Sequence, residues 1–169
     1  MDSLEFKKLC TERGVCRFEK VSLQQFLSDG GTEKEYENIA LPKRSTKGSA
    51  GYDFVTPKWV ALVPGASRVI PTGIRCQMLE GYDLSLFPRS GLGFKYMVQL
   101  ANTVGIIDSD YYFSDNEGHI MVKLVNRGEM NVLLEPGMRF CQGIVREYFL
   151  SVDDDATGIR SGGIGSTGV

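Results

Sequence analysis

Four stretches of this 169-residue chain concentrate groups that bind anions or offer hydrogen bonds to a small ligand. The last, GIRSGGIGSTGV, sets four glycines between Ser161 and Val169, beside Arg160, Ser166 and Thr167. Successive unhindered N–H groups, two hydroxyls and a cation are what phosphate oxygens need. Glycine- and serine-rich chain ends are often merely solvated, so this stretch carries weight only with the others. In PRSGLGFK (88–95) a strand-like run precedes Arg89 and Ser90, placing them at a strand end where Gly91 permits close backbone approach. The bland alternative is a tight turn with one exposed arginine. NTVGIIDSDYY (102–112) holds a β-hairpin over 102–108 around Gly105, and the acidic residues Asp108 and Asp110. Such a hairpin can present backbone donors and acceptors to a flat polar ligand. Taken alone, the acidic pair is a solvated turn. Upstream, SAGYDF (49–54) adds the carboxylate of Asp53.

These groups must be held by short β elements. Strand-like runs at 59–62, 68–70, 74–78, 82–87, 119–125, 131–134 and 139–149 are separated by glycine-containing turns at 63–65, 79–81, 126–128 and 135–137. A turn every ~8–12 residues, with little helical periodicity, predicts an all-β sandwich, jelly roll or barrel. Residues 2–13 are compatible with a short helix, 18–27 fits a strand or a helix equally well, and 28–34 reads as a loop. The length suits one domain with a real core, so residues 1–169 are expected to form a single domain. Within it, 1–40 is an N-terminal extension and 156–169 a mobile arm. After Gly158 only Ile159, Ile164 and Val169 are sizeable apolar residues, too few to anchor that arm.

Composition narrows the partners. At 42% apolar and 24% charged, with a net charge of −2, the chain has no basic field for nucleic acid, so a polyanionic ligand must be held by a local cluster. No apolar run approaches the roughly 20 residues that span a bilayer. MDSLEFKKLC lacks a basic stretch followed by an apolar one, which points to an intracellular, cytoplasmic protein. Cys10, Cys16, Cys76 and Cys141 are scattered and share one histidine, His119, so structural zinc is not expected and the thiols read as reduced, buried or incidental. His119 itself reads as structural or merely exposed.

In this order the four stretches resemble the motifs of the trimeric dUTP pyrophosphatases, or dUTPases, from about Leu41 to Val169. The resemblance implies a β jelly roll in a C3 homotrimer whose active sites take residues from more than one subunit. It implies hydrolysis of dUTP to dUMP and pyrophosphate by water attacking the α-phosphorus, with Mg²⁺ as cofactor. Such a reaction keeps uracil out of DNA and supplies dUMP for thymidylate synthesis. On the matching positions, Asp108 orients and deprotonates the water. Arg89, Ser90 and Gly91 serve the phosphates, as do Gln142 and Arg139 in RFCQG. Residues three apart on a strand point to opposite faces, so one of that last pair is expected to be structural. Asn102, Ile106, Ile107 and Met121 line a uracil pocket, and Tyr111 packs on the deoxyribose, leaving no room for a 2′-hydroxyl. Asp53 reaches Mg²⁺ through the ion's water shell. An arm bearing Arg160, Ile164, Gly165, Ser166 and Thr167 closes over the triphosphate.

Two features depart from that pattern. Ile164 stands where family arms commonly carry a phenylalanine that stacks on uracil, one residue nearer to Arg160 than in many members. Residues 113–117 read as an insertion before Gly118, which with the long N-terminus resembles a bacterial or phage branch. The dCTP deaminase branch shares the fold, but it needs a glutamate where this chain has Lys123. A nucleotide-sensing regulator on the same fold would be marked by loss of Asp108 or of the tail, and both are present.

Overall fold

Short β-type runs between glycine turns give short antiparallel strands, and the computed structural model, which describes residues 4–6, 8, 14–160, 162 and 163, is built from them. The largest sheet has the order β2 (Lys43–Arg44), β3 (Tyr52–Val55), β12 (Arg139–Glu147), β7 (Tyr82–Pro88), β9 (Gly105–Ile107). A second runs β5 (Ser67–Pro71), β10 (Met121–Asn126), β8 (Val98–Leu100). Two paired ladders complete the set: β1 (Cys16–Lys20) with β6 (Ile74–Met78), and β4 (Val60–Leu62) with β11 (Val132–Leu134). Among the described residues every pairing is antiparallel, in keeping with the all-β expectation. One buried cluster joins Phe54, Leu84 and Phe140 of the large sheet to Ile70 and Leu124 of the second and to Leu62 and Leu134 of the β4–β11 ladder. Each such side chain contributes about 1.5–3 kcal/mol on burial. Cys76 and Cys141 are buried thiols and Cys16 is half-buried, while Cys10 lies outside the described residues. Among the described residues, no helix is long and apolar enough to cross a membrane.

The undecided N-terminal stretch divides between both alternatives. Residues 16–20 are strand, and Leu23–Ser28 forms helix α1, followed by α2 (Glu33–Glu37). The switch falls where the Val21 N–H donates to the Gly73 carbonyl at 3.0 Å and Ser22 Oγ caps α1 by accepting from the Gln25 N–H at 3.1 Å. Thr32 and Glu35 form a capping box that starts α2. Val21 and Phe26 enter the core, so the extension packs as part of the domain. Of the helix compatible with residues 2–13, the described positions 4–6 and 8 are helical.

One local alternative falls and one expectation is corrected. Arg89 stands at a strand end, but after Pro88 the chain forms helix α3 (Ser90–Tyr96) in place of a tight turn, although Gly91 and Gly93 disfavour a helix. Packing of Leu92 and Tyr96 against the core overrides that preference. Nor do residues 102–108 form a hairpin around Gly105. The bend lies at 101–104, with Thr103 at φ 68, and the flanking strands go to different sheets: β8 pairs with β10, and β9 with β7.

His119 is structural and wholly buried, two residues before β10 begins at Met121. Its Nε2 accepts the Gly73 N–H at 2.8 Å, so the ring proton sits on Nδ1, 2.6 Å from the Asp29 carboxylate. Burial holds its pKa below the ordinary value, with Asp29 opposing. Since the unfolded chain then binds the proton more readily, this stabilisation is complete above ~6.5 and is lost as pH falls through the lower folded value. The urea midpoint is therefore expected to drop between pH 7.5 and pH 5, and to drop less in His119→Gln. Equal drops in the two proteins would refute this role.

Candidate active site

The first half of the site gathers at one end of the large sheet. Gln142 on β12 lies between Asp53 on β3 and Phe87 on β7, and Arg89 leaves β7 beside them. The Asp53 carboxylate accepts hydrogen bonds from Ser45 Oγ (2.7 Å), from Arg139 Nη1 (3.2 Å) and from Arg89. Burial pushes its pKa up, but Ser45, Arg89 and Arg139 together outweigh that and hold it below the usual carboxylate range. Gln142 Nε2 donates to the Pro88 carbonyl at 3.3 Å, and its amide lies where a Cβ on Gly51 would fall, 2.4 Å from Gln142 Oε1. Arg139 and Gln142 were expected on opposite faces. A bulge between Arg139 and Cys141 inserts one residue, turns both Phe140 and Cys141 inward, and brings Arg139 and Gln142 to the face of Asp53. Ser90 and Gly91 open α3 and are exposed, and a Cβ on Gly91 would meet no atom of this chain within 4 Å.

The second half is a cavity of about 530 Å³. Strand β9 and the bend before it supply Asn102, Gly105, Ile106 and Ile107; β10 supplies Met121, Val122 and Lys123; the arm supplies Arg160 and Gly163. Gly105 is opposite Leu86, whose Cβ would stand 3.3 Å from an added methyl, so the strands close tightly under the floor. Asp108 and Tyr111 complete the lining from either side of the start of a 3-10 turn, Ser109–Phe113. Tyr111 is anchored by its hydroxyl, which donates to the His119 carbonyl at 2.7 Å and accepts from Asn116 Nδ2 at 2.8 Å. Partial burial pushes the Asp108 carboxyl above its ordinary pKa, with Arg160 opposing and Asp110 and Asp83 adding to the rise. Arg160 is paired with both acids, through Nη2 to Asp108 and through Nε to Asp110 at 2.8 Å.

Asn102, Ile106, Ile107, Asp108, Tyr111 and Met121 thus converge on one cavity, together with Arg160. Arg89, Ser90, Gly91, Gln142 and Asp53 do not line this cavity. Ile164, Gly165, Ser166 and Thr167 lie outside the described residues. Within one chain the described candidate residues therefore fall into two groups, a cluster of Asp53 with Arg89 and Arg139 and a cavity with a carboxylate at its edge. The family model described as dUTPase matches residues 37–168. The chain belongs to the dUTPase family. Relatives agree: it is 40% identical over 139 residues to the deoxyuridine 5′-triphosphate nucleotidohydrolase of Lactococcus lactis, covering 79% of this chain and 93% of that one. The crystal structure of the Streptococcus mutans dUTPase is similar with a TM-score of 0.65 and 37% identity, covering 79% of this chain and 97% of that one. A mutant dUTPase from phage phi11 of S. aureus, described with a structural Mg(II) ion, shares the fold with a TM-score of 0.64 and 18% identity, over 86% of this chain and 98% of that one.

Two dUTPase-site neighbours escaped the sequence reading. Ser45 touches both Asp53 and Arg139, and Asn116 holds Tyr111. Neither carried a local signal, since a serine or asparagine in a polar loop is ordinary.

Proposed function

We propose that the protein hydrolyses dUTP to dUMP and pyrophosphate, with uracil and deoxyribose in the cavity and the triphosphate against the Asp53–Arg89–Gln142 cluster of another subunit in a C3 homotrimer. The observation that carries this reading is the division of the motif residues: the cavity has a carboxylate but, of the predicted cations, only Arg160, while Arg89 stands in the other half. A closed three-fold assembly is the simplest way to bring one chain's cavity to another chain's cation cluster.

In the reaction the oxygen of a water bonds to the α-phosphorus, and the bond from that phosphorus to the bridging oxygen breaks, releasing pyrophosphate. Asp108 takes the proton. Burial raises its pKa, which makes the carboxylate a stronger base. Arg89 and Ser90 meet the charge that develops on the phosphate oxygens. The triphosphate competes with Asp108 and Asp110 for Arg160, so substrate binding frees the base at the moment it is needed. Ile164 covers the base, and Gly165, Ser166 and Thr167 offer donors to the phosphates. Among the described residues, no three acidic, His or Cys side chains converge as a metal site, and the Asp53 oxygens are occupied by Ser45 and two arginines. That donor set fits a Mg²⁺ carried by the triphosphate, with ionised Asp53 beside the ion's water shell. Bound there, Mg²⁺ supplies neutralisation of phosphate charge. The deaminase alternative fails on Lys123, which lines the cavity and cannot act as the carboxylate acid/base that branch needs.

Pyrophosphate release measured with Mg²⁺ on dUTP, dCTP, dTTP and UTP tests the reading. Release confined to dUTP supports it, and none from dUTP in folded protein would sink it. The Arg160–Asp108 contact makes a further prediction. Arg160 holds the Asp108 pKa down against burial, so Arg160→Ala raises it, and the acid limb of the kcat/KM profile moves to higher pH. A profile that keeps its position would show that this contact is absent from the free enzyme in solution.

A further inference from the structure

Residues 16–36 precede the part of the chain that the family model covers, yet they hold the segment that follows the cavity residue Tyr111 at three points. On β1, the Glu19 carboxylate accepts from Tyr112 OH at 2.6 Å and from Arg75 Nη2 at 3.1 Å, while the Arg75 guanidinium lies 4.4 Å from the Tyr112 ring centroid. Ahead of α1, Ser22 donates from its backbone N–H (2.7 Å) and from its hydroxyl (2.6 Å) to the two oxygens of Glu117. Behind α1, Asp29 accepts from His119 Nδ1 at 2.6 Å. All three contacts fall on the segment 112–119, which includes the inserted residues.

Tyr111 is fastened to that same segment. One of its hydroxyl partners is the carbonyl of His119, which Asp29 fixes, and the other is Asn116, next to the Glu117 that Ser22 fixes. Its chain neighbour Tyr112 is the residue bound by Glu19. Gly118 closes the loop at φ 70, where a Cβ would fall 2.7 Å from the Tyr112 Cα, so the loop presses directly on the tyrosine backbone. Phe113 is 71% exposed. These polar ties, with the buried Ser114 and His119, hold the loop in shape, and breaking one loosens the support of Tyr111.

We propose that residues 16–36 form a brace whose positioning residues Glu19, Ser22 and Asp29 set the place of Tyr111, and through it the enzyme's rejection of a ribose. This rests on the dUTP reading above. Exclusion of a 2′-hydroxyl by a packed ring requires that the ring cannot retreat, and a loosened support of about 1 Å is enough to undo such fits.

The test uses the full chain with Asp29→Ala and Glu117→Ala, neither of which lines the cavity. Steady-state constants for dUTP and UTP are measured with melting temperature and with hydrogen–deuterium exchange over residues 109–119. The brace predicts faster exchange there, kcat on dUTP within about twofold, and a dUTP:UTP ratio of kcat/KM lower by about tenfold. An unchanged ratio in both variants overturns the proposal, because a merely stabilising role lowers the melting temperature alone. Should Asp29→Ala fail to fold, having stripped buried His119 of its partner, Glu117→Ala decides alone. If the unaltered protein does not turn over dUTP, the functional reading has failed and exchange alone judges the brace: faster exchange sustains it, and unchanged protection overturns it.

Discussion

Asp108→Asn is expected to lower kcat on dUTP by about 10²–10⁴-fold, the range associated with removing a positioned general base. The substitution is nearly isosteric and keeps an oxygen that can accept from Arg160, whose second bond runs to Asp110. The cavity should therefore hold its shape, and KM should change little. Loss in kcat at constant KM is the signature of a group needed only in the transition state. Asp110 makes a sharp control. It is exposed, does not line the cavity, and meets Arg160 through Nε while Asp108 meets Nη2, so Asp110→Asn should retain most activity. Single-turnover release of pyrophosphate measures both. An Asp108→Asn enzyme within tenfold of the parent would remove this residue from the base role.

Coexpression of Arg89→Ala with Asp108→Asn should restore activity that neither variant has alone. Each variant damages a different half-site: Arg89→Ala the anion cluster around Asp53, and Asp108→Asn the cavity. If an active site joins one chain's cavity to another chain's cluster, random mixing of equal amounts makes about a quarter of the sites whole, since each half is drawn independently at one in two. If both halves come from one chain, no intact site forms and the mixture stays as inactive as its parts. Arg89→Ala alone should cost about 10²–10³-fold, as removal of one charge-stabilising donor does. Its fold should survive, because Asp53 keeps Ser45 and Arg139. Recovery near a quarter establishes shared sites, and none excludes them.

The strand positions were largely legible because their signals are local. The run expected at 74–78 is β6, and the glycine turns expected at 79–81 and 135–137 place Gly81 and Gly137 at φ 87 and 86, a region that favours glycine. Residue types were legible too: the carboxylates, arginines and glycines that could handle a nucleotide stand in family order along the chain. Where local preference and tertiary packing disagreed, packing won. Two glycines argue against α3, at about 1 kcal/mol each, yet packing of the partly buried Leu92 and Tyr96 against the core forms it. The adjacent apolar pair Phe140 and Cys141 breaks strand alternation and marks the bulge, but only the register against β3 shows that it puts Arg139 and Gln142 on one face.

By itself, then, the sequence determined the fold class, the turns and the inventory of chemical groups, since each follows from the preferences of a few neighbouring residues. The tertiary structure decided which strands pair on either side of the bend at 101–104, that the candidate site residues of one chain fall into two groups, and that Glu19, Ser22 and Asp29 contact the segment 112–119. Those outcomes depend on contacts such as Ser22 with Glu117, 95 residues apart, and no local preference encodes which distant partner will be buried against which.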